Sequence, residues 1–456
     1  MNKNMTSMIT ALVLGCSILL GGVAAAADAK VTQYVVSIPQ QFYVKYQGNH
    51  QQNFPNGFKT GFGSGIALKS VGKDGSAEFY MISDRGPNAD GPLVKNQKGT
   101  FSGKFFPSPA FQPTIAVGVL KAGNVTVRET IGLKNAQGKP LTGLPITPGF
   151  VGSSYEVALG ENLNDLGYDD NGLDPEGIAV DTKGNFWVCD EYGPFIIQFD
   201  KTGKLLRKYA PGSGLPEILK YRIPNRGFEG LTVAPNGKIY AAVQSVLNVN
   251  EKTDKTAQFT RIVQLNPSTG ETKMYAYPID VDAYKSSKGA KIGDIFAVSD
   301  TKLLLIEQGS DKDKQMRNRI YLVDLANATD ISNRTLNGKA LEYATDKEQL
   351  TGVTLASKTL LFDLKANGWN VEKAEGLTLL PDKKTIIVVN DNDFGMMLSL
   401  QDSKHKNSEI GDYTLTSDGT LKIKDKVANP VLAIVPNSEV ERNMYLWTIE
   451  LPEALQ

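Results

Sequence analysis

A short unit recurs through this chain. An acidic or small residue, usually followed by Gly, opens an apolar strand; a turn follows, then a second apolar strand ending in polar or acidic residues. The copies are Ser64-Gly65-Ile66-Ala67 leading to FYMISDRGPN, Glu176-Gly177-Ile178-Ala179 leading to FWVCDEYGP, and Glu229-Gly230-Leu231-Thr232 leading to IYAAVQS. Asp294-Ile295-Phe296-Ala297 leads to LLLIEQGSD, and Glu375-Gly376-Leu377-Thr378 leads to IIVVNDNDFG. Self-similarity spaced at tens of residues is the mark of a repeat architecture. Two copies continue through a third and a fourth strand, FIIQFD with LLRKYA and RIVQLN with TKMYAYPI, with Gly-containing turns between them.

Four short strands per unit make the blade of a β-propeller, so the expected fold is all-β and closed. A β-sandwich is the rival, but it does not require a matched polar end on the second strand of every copy. Five blades are recognisable and six are expected, with the strand near YVVSIP pairing beside the C-terminal MYLWTIEL to close the ring and remove an exposed edge. Residues 28–456 are read as one domain. Insertions are expected near 135–172 and 330–374, where long loops on a rigid scaffold tend to carry binding sites or lids.

In a propeller, equivalent positions on the innermost strands are related by rotation about the central channel. The ring here would be Ser64, Glu176, Glu229, Asp294 and Glu375. Carboxylates held that close raise one another's pKa and repel, so they need shared protons, basic partners or a metal. Calcium suits best: it takes six to eight oxygen ligands in loose geometry. The chain has two histidines, His50 and His405, too few for a multi-histidine zinc or iron site. Strands that simply begin with Glu-Gly are the plainer reading of any single copy; the repetition favours a functional mouth.

The second-strand ends add Asp84, Asp190, Glu191, Glu307, Asp391 and Asp393. Metal ligands are expected among Glu176, Glu229, Asp294, Glu375, Asp84 and Asp391. Near them stand Arg85, Arg226, Lys291, Arg317, Arg319 and Lys373. Carboxylates beside arginines are the composition expected where a phosphoryl group is held between cations. Arg85 and Arg226 are assigned to that charge, Asp190 or Glu191 to general-base work, and Ser64, Asn88, Glu307 and Asp393 to substrate contact. The alternative for the arginines is a set of ion pairs locking loops. Asp165, Asp169, Asp170, Asn171 and Asp174 resemble a calcium loop without EF-hand spacing, and turn formation explains most such loops. Ser64 lacks nucleophile-elbow spacing, and Cys189 lies within an apolar strand.

The 49 basic and 49 acidic residues cancel, which removes a general electrostatic case for nucleic acid or anionic membrane. Lys3, the apolar run from Met8 to Val23 and Ala24 to Ala27 read as a signal peptide over residues 1–27, predicting a soluble exported protein, periplasmic or secreted. Val13-Leu14-Gly15-Cys16 offers a lipoprotein site, disfavoured because the apolar run continues past Cys16. Cys189 alone remains after cleavage, so no internal disulfide is expected.

GSGIA with SDRGPN, DPEGIAVD with WVCDEYGP, NRGFEGLTV, and AEGLTLLPD with VVNDNDFG occur in this order over nearly the whole mature chain. In this the chain resembles the phytase-like ("esterase-like activity of phytase") family of bacterial exported proteins. The resemblance implies a propeller, export and hydrolysis of a phosphoester or ester. Three functions are in competition: a calcium-dependent phosphate-ester hydrolase, a calcium-dependent lactonase or carboxylesterase of the gluconolactonase type, and a non-catalytic propeller binding a ligand or protein partner. The expected small-molecule substrate is anionic or an ester.

Overall fold

The computed structural model describes residues 29–456; the expected leader, with Cys16, lies outside them. The strands form five four-stranded antiparallel blades. Blade 1 is Gly65–Val71, Ala77–Ile82, Thr114–Lys121 and Asn124–Gly132, and blade 2 is Pro175–Val180, Phe186–Asp190, Phe195–Phe199 and Leu205–Pro211. Blade 3 is Phe228–Val233, Ile239–Val243, Phe259–Leu265 and Thr272–Pro278. Blade 4 is Lys291–Ala297, Lys302–Ser310, Met316–Asp324 and Ser357–Asp363. Blade 5 takes Gly376–Leu379, Thr385–Val389 and Tyr445–Glu450 from the C-terminal half and Lys30–Ser37 from the N-terminus.

The closure expected from the termini is present: Tyr34 pairs with Leu446 and Val35 with Tyr445. The same N-terminal strand then runs parallel to blade 1, with Val36 opposite Val125. The expected sixth blade is absent among the described residues. The terminal strands supply the outer half of blade 5 instead of forming a blade of their own.

Each blade is a twisted sheet with both faces covered, so its inner strands are apolar on both sides. Phe186–Asp190 and Ile239–Val243 are buried at every residue, whereas the outer strand Leu205–Pro211 is only partly so. The apolar side chains of the ring collect into five clusters, one at each blade interface. Trp187 and Tyr209 of blade 2 meet Leu231 and Phe259 of blade 3, for example. Tight ring packing explains the glycine after the repeated acid. A Cβ on Gly177 would lie 3.3 Å from Gly230 Cα, and one on Gly230 would lie 2.5 Å from Ile295 N.

A cap stands on the ring. Blade 1 sends out Ala89–Asn96 and Gly99–Phe105 between its second and third strands, the connection to blade 2 adds Val157–Leu159, and blade 5 sends out Tyr413–Leu415, Leu421–Ile423 and Lys426–Val427. These six strands form one sheet, in which Thr414 pairs with Leu93 and Gly103 with Val157. A two-stranded ribbon, Met396–Gln401 with Val431–Pro436, stands beside it. The stretch 135–172 is a long connection whose one strand is Val157–Leu159. In 330–374, however, Ser357–Asp363 is the outer strand of blade 4, and the insertion from blade 5 that builds much of the cap was not foreseen.

Candidate functional site

Antiparallel pairing sets the start of each inner strand beside the end of the second, so both repeated polar positions reach one rim. In blade 2, Pro175 lies opposite Asp190. The register slips by one residue at Glu176 and again at Glu229, where Phe228 pairs with Val243 and Gly230 with Ala242. Such bulges re-aim the extra side chain. They leave Glu176 and Glu229 outside the ladder, directed at the axis, where Glu375 joins them: one oxygen from each lies within 4.8 Å of the others. A second triad at the same spacing is Asp174, Glu176 and Glu191, so Glu176 belongs to both.

Blade 4 departs from the pattern. Its bulge falls between Ile292 and Asp294, so Gly293 occupies the extra position and Asp294 pairs with Ile306. Asp294 therefore stands where the other blades have the packing glycine. Its carboxylate accepts from the backbone N–H of Leu377 at 2.6 Å and of Ile295 at 2.7 Å, and also from that of Leu231. The expected metal ligand is instead a clip between blades 3, 4 and 5.

Glu307 is turned away in the same blade. It accepts from Tyr277 Oη and Lys358 Nζ, both at 2.8 Å, in the interface with blade 3, and makes no wall of the axial cavity. Asp190 is also spent locally, accepting from the N–H groups of Asp174 and Gly193 at 2.8 and 2.9 Å. Ser64 is fully buried at the ring position of blade 1, its Oγ without a hydrogen-bond partner and outside the cavity wall. Asp391 is buried behind the wall, 2.8 Å from Lys373 Nζ.

The cavity measures about 1000 Å³ and runs from the axial carboxylates up to the cap. Asp84, Asn88, Glu191 and Asp393 line it, as do Arg85, Arg226, Lys291 and Lys373. Asp84 accepts from the Gly86 N–H at 2.7 Å, and Asn88 donates to Gly86 O. Asp393 lies 2.9 Å from Lys373. Arg85 is buried and doubly neutralised, 3.0 Å from Glu156 and 3.3 Å from Asp174. Arg226 donates to Lys288 O at 2.6 Å, and neither it nor Lys291 has an ion-pair partner among the described residues. Arg317 and Arg319 pair with Asp280 and Asp363, locking loops away from the axis. His50 and His405 pair with Glu161 and Asp402, both outside the cavity wall.

Burial, reinforced by neighbouring carboxylates, drives the axial pKa values up. Glu176 and Glu229 are held well above the ordinary range, Glu375 is pushed up to about 7 and Glu191 to about 8. Burial opposes the charge of Lys373, but Asp391, Asp393 and Glu375 outweigh it and keep the ammonium protonated. Glu191 is oriented by Asn225 Nδ2 and Gln244 Nε2, each donating at 2.8 Å. Glu229 Oε2 is buried with no hydrogen-bond partner. An all-oxygen donor set with an orphaned carboxylate oxygen fits a hard cation such as calcium and offers nothing to a soft one. The buried acidic clusters could thus hold a metal ion.

Sequence reasoning missed Asp174 as a rim residue because it sits among turn-forming aspartates. Asp165 and Asp169 do hold turns, accepting from the N–H groups of Gly167 and Asn171. The signal that separates Asp174 is its place two residues before the repeated acid Glu176.

A secreted protein of uncharacterised function from Arthroderma benhamiae is 29% identical over 231 residues, covering 41% of this chain and 45% of that protein. The chain thus spans about half the length of this curated relative. Among solved structures, the α-L-arabinofuranosidase PaAbf62A of Podospora anserina, in complex with cellotriose, aligns at 8% identity over 92% of this chain and 97% of its own, with a TM-score of 0.34. The virginiamycin B lyase of Staphylococcus aureus aligns at 11% identity over 93% and 100%, with a TM-score of 0.28. Residues 60–394 match the model of the Phytase-like family, described as esterase-like activity of phytase. That match covers most of the chain, including all five repeated units: the protein belongs to the Phytase-like family.

Proposed function

We propose that this protein is an exported, calcium-dependent hydrolase of phosphate esters. The observation that carries the reading is the buried axial cluster of Glu176, Glu229 and Glu375, with an unpartnered Glu229 oxygen, opening into a cavity where Arg226 and Lys291 are free of ion-pair partners. Carboxylates packed this closely favour a divalent cation, and the two cations favour an anion above it.

Glu176, Glu229 and Glu375 would hold the ion, with Asp174 and Glu191 at its side. When bound, calcium supplies charge neutralisation at phosphoryl oxygens and lowers the pKa of a coordinated water. Arg226 and Lys291 orient the phosphate and stabilise charge on its outer oxygens. Glu191, fixed by Asn225 and Gln244, would in its ionised form take a proton from the attacking water. Arg85, expected to bind phosphate, serves better as a positioning residue, since Glu156 and Asp174 already satisfy it.

The leader over residues 1–27 supports export to the periplasm or medium, and the word "secreted" in the name of the Arthroderma relative agrees with it. The test is turnover of p-nitrophenyl phosphate, p-nitrophenyl acetate and a lactone panel, with calcium and with chelator. Calcium-dependent phosphate release is expected. Acyl or lactone cleavage alone would replace this reading with the gluconolactonase type. Absence of turnover, with calcium raising the melting temperature, would leave a binding propeller.

A further inference from the structure

A second cavity, of about 210 Å³, opens at the foot of the ribbon and shares no lining residue with the axial one. Three segments enclose it. The stretch before the first strand of blade 1 brings Tyr43, Phe54 and Lys59, the turn into the ribbon brings Phe394, and the turn before the strand Tyr445–Glu450 brings Arg442 and Asn443. Hydrogen bonds fix these walls to their surroundings: Asn53 Nδ2 donates to Ile434 O at 2.8 Å, Asn392 Nδ2 to Arg442 O at 3.0 Å, and Asn390 Nδ2 to Asn443 O at 3.1 Å. The shape is thus set before any ligand arrives.

The charge in this cavity is all of one sign. Lys59 and Arg442 are its only charged side chains. Lys59 Nζ makes one hydrogen bond, to Asn443 Oδ1 at 3.0 Å, and neither cation has a carboxylate partner among the described residues. Burial lowers the pKa of Lys59, and the neighbouring charge of Arg442 lowers it further, with no carboxylate to offset either. Lys373 at the axis is the contrast, since Asp391 and Asp393 hold it at 2.8 and 2.9 Å. Two like charges on fixed walls repel until an anion stands between them. The volume lies below the roughly 300–1,000 Å³ of pockets that enclose whole organic ligands, so the occupant is small. A tetrahedral oxyanion can accept from an ammonium and a guanidinium at once.

We propose that this cavity is a second anion site, which binds one small tetrahedral oxyanion of the phosphate or sulfate kind between Lys59 and Arg442. The site needs neither the axial carboxylates nor a metal, so it stands apart from the phosphoesterase reading.

The test is calorimetric titration of chelator-treated protein with inorganic phosphate and with sulfate, beside mass-spectrometric measurement of Lys59 acetylation by acetic anhydride. Affinity is expected to fall by about tenfold or more in Lys59→Gln and in Arg442→Gln, each losing a charge-assisted hydrogen bond, and to change little in Arg226→Ala. Lys59 is half-buried and Arg442 exposed, which keeps both substitutions compatible with folding, and melting curves check them. In the wild-type protein, which needs no variant to fold, phosphate should slow acetylation of Lys59 several-fold and leave exposed lysines unaffected. Absence of binding at millimolar phosphate and sulfate overturns the proposal, as does unchanged affinity in folded variants or acetylation of Lys59 indifferent to phosphate. Affinity lost only in Arg226→Ala would put the anion at the axis and overturn it as well.

Discussion

The carboxylate of Asp294 in blade 4 accepts the backbone N–H of Leu377 in blade 5 at 2.6 Å. It also receives the N–H groups of Ile295 and of Leu231 in blade 3, so one side chain ties three consecutive blades at the axis. Removing it would strand buried donors, each worth about 1–3 kcal/mol. Asp294→Ala should therefore lower stability to urea by roughly 2–5 kcal/mol while calcium binds with unchanged stoichiometry. Loss of calcium binding in a folded Asp294→Ala protein would return this residue to the metal site.

The axial acids tie stability to pH in a direction opposite to most surface carboxylates. Glu375 is raised to about 7 and Glu191 to about 8, chiefly by burial. Each binds its proton more tightly folded than unfolded, so the native state loses stability as pH climbs from the unfolded carboxyl range through 7 and 8. Chelated protein should melt at progressively lower temperature from pH 5 to pH 8.5. Saturating calcium should flatten that decline and, when added near pH 6.5, release protons. A flat or rising profile in chelator would contradict the electrostatic account of the cluster.

Neutralising one axial acid separates repulsion from ligation. Glu229→Gln removes a charge that raises the pKa of its neighbour Glu176. The variant should melt higher than wild type in chelator and gain less from calcium, with calcium affinity lowered on the order of tenfold or more. Differential scanning fluorimetry across a calcium titration reads both effects. A variant that keeps the full calcium response would remove Glu229 from the proposed ligand set.

The fold was legible wherever the physics is periodic. Short apolar strands, Gly turns and the repeated acid pointed to blades, and the terminal strands had the composition to close a ring. The number of blades was not legible, because a terminal strand reads the same whether it completes a blade or begins one. Glu176, Glu229 and Glu375 were found by repetition, but Asp294 and Glu307 were placed by the same logic and lie elsewhere. The cause is a single-residue shift of the bulge in blade 4, which puts Gly293 at the acid position; its one trace in the sequence is the reversed order Gly293-Asp294 where the glutamate copies read Glu-Gly. The cap escaped for another reason: its strands come from three separate segments and pair only in three dimensions, as Thr414 does with Leu93.

Arg85 and Arg226 look alike in sequence, each beside a glycine and near an acid, yet their surroundings assign them opposite roles. Arg85 is enclosed by Glu156, Asp174 and Tyr192, and taking it away would leave two buried carboxylates without their counter-charge. Arg85→Ala should accordingly lose stability by about 3–5 kcal/mol, and activity with it. Arg226 makes one bond to a backbone carbonyl and faces the cavity beside Lys291. Arg226→Ala and Lys291→Ala should keep wild-type melting temperatures and reduce kcat/KM for phosphate esters by about tenfold to a hundredfold, with a smaller loss for neutral esters. Phosphate-ester kinetics beside thermal melting would decide the matter: an Arg226→Ala protein that unfolds more readily but turns over normally would make Arg226 a structural residue and leave Lys291 as the cation facing the phosphate.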